Sequence, residues 1–191
     1  MKDTDGKDTN QSAYFSGTNR NKRSLTLDLS SEEGQSIARE LISKSDILVE
    51  NFKVGTLKKY NLDYESLKDQ FPDLIYCSIT GFGQTGPYAS RPAYDALVQA
   101  MGGVMSLTGE PDGEPMKVGV SIADLMAGMY ATVSILAALR HRDKTNQGQH
   151  LDISMLDAHV AWLANQGMNY LATGSNPDRL GNQHPNILPY Q

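Results

Sequence analysis

Leu74-Ile75-Tyr76-Cys77-Ser78-Ile79-Thr80 runs directly into Gly81-Phe82-Gly83-Gln84-Thr85-Gly86-Pro87. The first seven residues read as a β-strand bounded by turn-forming residues. The loop after it carries three glycines in six residues, so backbone N–H groups can approach a ligand closely. Ligands of α/β proteins collect at this end of a strand. The loop has neither the G-x-G-x-x-G dinucleotide context nor a Walker pattern, and by itself it reads equally well as a turn.

Upstream of this strand, Ile47-Leu48-Val49 is a second, short buried strand. Between the two, Val54 to Tyr60 reads as a short helix, and Asp63 caps another that Pro72 closes off. Further upstream, Ser24 to Leu29 alternates polar and apolar residues as a strand does. Ser30-Ser31-Glu32-Glu33 then offers a capping box, with Ser30 as N-cap and Glu33 at N3. The helix it opens should turn Ile37, Leu41 and Ile42 inward. Downstream, Tyr94 to Met101 reads as a helix, Ile122 to Arg142 as a long apolar one, Leu151 to Ser154 as a strand, and Asp157 to Leu171 as a final helix. Strand–helix–strand order points to a parallel sheet. The expected class is α/β, a partial Rossmann-like parallel sheet with flanking helices plus the start of a second domain.

Composition narrows the function. The 191 residues are 39% hydrophobic and 20% charged, with a net charge of −5. No basic field advertises nucleic acid, so an anionic ligand would need a local basic cluster. Cys77 is the single cysteine and cannot form an internal disulfide. It reads as a buried strand residue, which fits a reducing compartment. Met1 to Ser12 has no apolar core region and is neither a secretory signal nor an anchor; a cytoplasmic location is the expectation. Ile122 to Leu139 holds no charge except Asp124 and approaches the minimum spanning length, but its alanines and glycine fit a buried helix better, and no membrane is expected. No His, Cys, Asp or Glu spacing makes a persuasive metal site.

Asp124 stands out in Gly119-Val120-Ser121-Ile122-Ala123-Asp124-Leu125-Met126-Ala127-Gly128. A carboxylate opening an apolar helix is costly unless partnered, although the helix dipole favours an acid in the first turn. Gly128, one turn on, leaves room beside it.

These residues, taken in order, resemble a known family. Asn19-Arg20-Asn21-Lys22-Arg23-Ser24, Val49-Glu50-Asn51-Phe52, Ser78-Ile79-Thr80-Gly81-Phe82-Gly83, Tyr94-Asp95, Ile122-Ala123-Asp124-Leu125-Met126-Ala127-Gly128 and Leu139-Arg140-His141-Arg142 are together similar to class III CoA-transferases. The group contains formyl-CoA transferase and carnitine CoA-transferase. The ending, Gly181 to Gln191, resembles the succinyl-CoA–glutarate branch.

The resemblance implies that Asp124 is the catalytic nucleophile. It implies CoA-contacting roles for Leu27, Asn51, Phe52, Lys59, Tyr60 and Arg91, and places Tyr14, Tyr94 and Asp95 around the acyl pocket. Lys59 stands where an arginine is common, so its contact should be less bidentate. No permanently bound cofactor is implied: coenzyme A and acyl-CoA are substrates, and a carboxylic acid is the acceptor. Residues 1–13 are expected to be a flexible tail, 14–155 an incomplete CoA-binding domain, and 156–191 a linker helix with the start of a second, truncated domain. The family forms interlocked homodimers, and a chain lacking the opening strand–helix unit and a glycine-rich active-site loop is expected to be an inactive fragment. Two alternatives stay open. One is a 2-methylacyl-CoA racemase, a group that places a histidine base where Tyr94 stands; tyrosine, with an ordinary pKa of about 10, is a poor base at neutral pH. The other is a non-catalytic CoA-binding subunit.

Overall fold

A computed structural model describes residues 1, 2, 4–10 and 12–190. Asp3 and Gln11, within the expected flexible tail, and Gln191 lie outside the described residues. Three strands, β1 (Ile47–Glu50), β2 (Ile75–Thr80) and β3 (His150–Ser154), form a parallel sheet in the order β1-β2-β3. Ile47 pairs with Ile75, and Tyr76 pairs with His150. The architecture is the expected α/β one, and the strand read from Leu74 to Thr80 is its centre.

β2 is buried along nearly its whole length because both faces are covered. On one face Cys77 joins Val98, Ala123, Ala127, Ala131, Ile153 and Met155 in a core under α6 (Ile122–Thr145). Burial pushes the Cys77 thiol up to about 11, with smaller contributions from Glu50 and Asp152, so it stays a neutral core group at physiological pH. On the other face Tyr76 packs with Ile42, Leu57, Leu62, Leu67 and Leu74. These come from α2 (Glu32–Ile42), a 3-10 turn (Leu57–Tyr60), α3 (Tyr64–Leu67) and the loops beside them. The buried Tyr76 hydroxyl donates to Leu62 O at 3.0 Å.

α6 lies across β2 and β3 and packs against α4 (Asp95–Met101) and α7 (Met155–Val160). Its alanines allow the close approach. It is long and apolar enough to cross a membrane by length and composition alone. Here one side is packed on the sheet, while Leu125, Met129, Val133 and Leu136, at helical spacing, are each at least half exposed. The remaining helices are α1 (Ala13–Thr18), α5 (Val104–Leu107) and α8 (Ala164–Thr173).

Four local expectations are corrected. Ser24 to Leu29 forms no strand: the segment pairs with none of the described strands, and Leu25 faces solvent. The alternation was real, but without a neighbouring strand it gains no ladder. The α2 cap is Ser31, not Ser30; Ser31 Oγ accepts from Gly34 N at 3.0 Å. Ser30 is drawn into a turn instead, its N–H and hydroxyl both donating to Asp28 Oδ1. Gly34 then sits so close to Asp28 O that a Cβ would lie 1.9 Å away, so only glycine fits at N3 of this register. Of the three residues expected to turn inward from α2, Ile42 is buried, while Ile37 and Leu41 are exposed. Finally, Asp157 to Leu171 is not one helix. It breaks at a 3-10 turn, Ala161–Leu163, and Ala164 takes a φ of 46°, which no helix propensity in that alanine-rich stretch foretells.

Candidate functional site

Asp124 lies in the first turn of α6, exposed at the helix N-terminus. The N-cap residue, Ser121, makes no side-chain capping bond. The cap comes from another helix: Asp95 Oδ1 accepts from Ala123 N at 2.8 Å. Asp95 Oδ2 accepts from Gln99 Nε2 at 2.7 Å, and Gln99 Oε1 accepts from Val118 N at 2.8 Å. Two acidic groups are thereby brought to one helix end. Partial burial, and then repulsion from Asp95, raise the Asp124 carboxyl above its ordinary value. A carboxylate with a raised pKa is a more basic and more nucleophilic one. The space beside it is open, since a Cβ on Gly128 would meet nothing within 4 Å.

Next to this corner is a cleft of about 200 Å3 at the carboxyl ends of β1 and β2. Asn51, Phe52, Thr80, Gly81, Arg91 and Tyr94 are among the residues lining it. Asn51 is fixed by donating Nδ2–H to Ile79 O at 2.6 Å, and the Phe52 backbone N–H donates to Glu50 Oε2 at 2.7 Å. Gly81 packs on Ala93 so tightly that a Cβ would lie 2.3 Å from the alanine Cβ, which joins the glycine loop to the segment bearing Arg91 and Tyr94. The loop is also tied to β3: Gln84 N donates to Asp152 Oδ2 at 2.9 Å, and Gly83 has φ 81°. Phe82 meets Tyr88 edge-on at 5.4 Å, and the Arg91 guanidinium lies 4.3 Å above the Tyr88 ring.

The structure thus gathers Asn51, Phe52, Arg91 and Tyr94 around one cleft, with Asp95 and Asp124 at the adjoining helix end. The other expected residues do not line that cleft. Leu27 lies in the unpaired segment before α2, and Tyr14 is exposed on α1. Lys59 is exposed on the 3-10 turn, and Tyr60 packs partly into the second core. Sequence reasoning missed three residues here. Gln99 is fully buried between Asp95 and the irregular segment before α6. His159 is also fully buried, packs on Gly102, and has no partner for either ring nitrogen among the described residues; burial lowers its pKa against an opposing pull from Asp95. His150 Nε2 lies 3.0 Å from Ser78 Oγ and stacks on Tyr64 beside a separate cavity of about 320 Å3. The Asp95–Gln99 spacing of one helical turn was the one available signal for Gln99. Among the described residues no cluster could hold a metal ion.

A parallel α/β sheet with a glycine loop at its carboxyl end and an acid opening a long apolar helix is the setting of the resemblance, and residues 2–191 match the model of CoA-transferase family III. The chain belongs to that family. It is 56% identical over 179 residues to a protein named succinate–glutarate CoA-transferase from Agrobacterium fabrum, covering 94% of this chain and 45% of that protein. It is 42% identical over 191 residues to succinyl-CoA:mesaconate CoA-transferase from Haloarcula hispanica, covering 98% and 48%. The crystal structure of a CAIB/BAIF family protein from Brucella suis superimposes with a TM-score of 0.84 and 56% identity, covering 88% of this chain and 45% of that one. The chain therefore spans about half the length of the curated relatives it matches.

Proposed function

We propose that the protein containing this chain moves coenzyme A from an acyl-CoA thioester to a free carboxylic acid, with Asp124 as the nucleophile. The observation that carries this reading is the helix end at which Asp124 stands, exposed, raised in pKa and fixed by Asp95 beside the cleft. The relatives' names add short dicarboxylic acids as the donor and acceptor class.

The chemistry follows from the group. The ionised Asp124 attacks the thioester carbonyl and expels CoA thiolate, leaving a mixed anhydride. The thiolate attacks the aspartyl carbonyl and releases the donor acid, which makes an aspartyl–CoA thioester. The acceptor carboxylate attacks that thioester, giving a second anhydride, and the thiolate returns to the new acyl group and frees Asp124. Thioester energy is kept throughout, so no ATP is consumed, and one hard exchange becomes several easier ones. Residues 14–155 serve as the CoA-binding unit, and 156–191 lead into a second domain. Asn51, Phe52 and Arg91 bind CoA in the cleft, with Leu27, Lys59 and Tyr60 as further contacts; Tyr14 and Tyr94 border the acyl group. The active assembly is an interlocked homodimer.

Arg91 and Lys59 serve the CoA phosphates and take no part in bond making. Arg91→Ala and Lys59→Ala are each expected to raise KM for the CoA ester roughly three- to thirtyfold and to leave kcat within about twofold, the pattern of lost uniform binding. Steady-state kinetics decide this, and a selective fall in kcat contradicts it.

The reading is tested with the complete protein, succinyl-CoA and glutarate in D2O. Glutaryl-CoA should form with no deuterium at the α-carbon, because transfer removes no α-proton. The same protein given a 2-methylacyl-CoA should leave the α-carbon undeuterated. Rapid α-deuteration without transfer to any acid overturns the proposal in favour of racemisation, and tight CoA binding with neither reaction overturns it in favour of a binding subunit.

A further inference from the structure

The N-terminus of α6 is held by a side chain that the reaction scheme does not use. Gln99 is fully buried, one turn after Asp95 on α4. Its Nε2 donates to Asp95 Oδ2 at 2.7 Å and reaches Val120 O at 3.5 Å, while its Oε1 accepts from Val118 N at 2.8 Å. Asp95 in turn takes the Ala123 N–H, the residue before Asp124. One amide therefore binds the segment entering α6 at residues 118 and 120 and, through Asp95, the first turn of the helix. Nothing local replaces it, since Ser121 offers no capping bond.

We infer that Gln99 is a positioning residue for Asp124, resting on the nucleophile reading above. An amide is the side chain this place demands. It must donate to a carboxylate and accept from a backbone N–H at the same time. A carboxylate cannot donate, and an aliphatic side chain does neither. Left unmet, the partly buried Val118 N–H and Asp95 Oδ2 would pull the entering segment and the first turn toward other partners. Misplacement of a reacting group by about 1 Å costs on the order of 100-fold in rate. The CoA cleft is untouched by this change, because Gln99 is not among its lining residues.

The titratable groups facing the pair are Asp124 on α6 and His159 on α7, both of which feel Asp95. Gln99→Glu gives the sharpest test. As a carboxylate it repels Asp95; when protonated it can again donate through its O–H and accept through its C=O. In the complete protein, Gln99→Leu is expected to lower kcat for succinyl-CoA:dicarboxylate exchange roughly 10- to 100-fold with KM within about twofold. Gln99→Glu should lose at least as much at alkaline pH, and its deficit relative to the unchanged protein should shrink as pH falls. Hydrogen exchange at the Val118 and Ala123 amides should accelerate in both variants at neutral pH while the β2 amides stay protected. A kcat within about twofold of the parent in Gln99→Leu, or a Gln99→Glu deficit constant with pH, overturns the inference. If the parent shows no Asp124-dependent transfer, the nucleophile reading fails by itself. The exchange arm then judges Gln99 alone: faster exchange at both amides supports the clamp, and unchanged exchange overturns it.

Discussion

Asp124→Ala in the complete protein is expected to lower kcat for CoA transfer by about 1000-fold or more, the scale of removing a covalent nucleophile, while leaving affinity for CoA nearly unchanged. The two effects separate because Asp124 is not among the residues lining the cleft that holds Asn51, Phe52 and Arg91. The variant should also fold without loss. The Asp124 carboxyl is raised by partial burial and then by Asp95, so its ionised form is disfavoured in the folded chain relative to the unfolded one. For an acid with a raised folded pKa, stability falls as pH rises through the unfolded and then the folded value. Removing the charge at neutral pH therefore removes a small folding penalty. Thermal unfolding of Asp124→Asn should show a Tm equal to or above the parent. In the parent, kcat should fall on the acid side as Asp124 protonates, at a pH above that of an ordinary aspartate. A Tm drop with retained transfer contradicts both parts.

The second large effect is structural. Gly148→Ala should destabilise the fold by about 3 kcal/mol or more, the range of severe backbone conflicts. Gly148 lies in the turn between α6 and β3, with its N–H donating to Pro72 O at 2.8 Å. A Cβ there would stand 2.0 Å from Leu74 O and 2.5 Å from Leu74 C. Both are backbone atoms at the entry to β2, so no side chain can swing away. The substitution forces apart the points where β2 and β3 begin, and with them the Tyr76–His150 register. Chemical denaturation would show a lower midpoint or no cooperative transition. A change under about 0.5 kcal/mol, the usual range for a surface substitution, would show that the turn does not set this register.

The sequence carried the centre of the fold better than its edges. β2 was legible because a strand covered on both faces must be apolar nearly throughout, as Ile75 to Thr80 are in burial if not in every side chain. α6 was legible because its apolar run is too long for a strand. Ser24 to Leu29 misled because alternation records which side chains could face a core, and not whether a neighbouring strand exists. The α2 cap slipped by one residue because Asp28 competes for Ser30, and because Gly34 meets the Asp28 carbonyl; neither contact is local to the capping pattern. At the site, Asp124 was visible as a charge where charge is costly. Gln99 was not, since a glutamine in a helix is ordinary until the two segments it joins, 95–99 and 118–123, are seen side by side. Lys59 and Tyr60 were named from resemblance, and the 3-10 turn that carries them follows the cleft-lining Lys53 and Val54 without itself lining the cleft.

The proposed transfer requires a covalent bond at the Asp124 carboxylate. Its most direct measurement is peptide mass spectrometry of the complete protein after mixing with succinyl-CoA and hydroxylamine. An activated aspartyl carbonyl, whether anhydride or thioester, yields a hydroxamate with hydroxylamine. A hydroxamate is expected at Asp124, with none there when succinyl-CoA is omitted and no label at Asp95. Transfer that proceeds with Asp124 unmodified, or with the label on another residue, would contradict it.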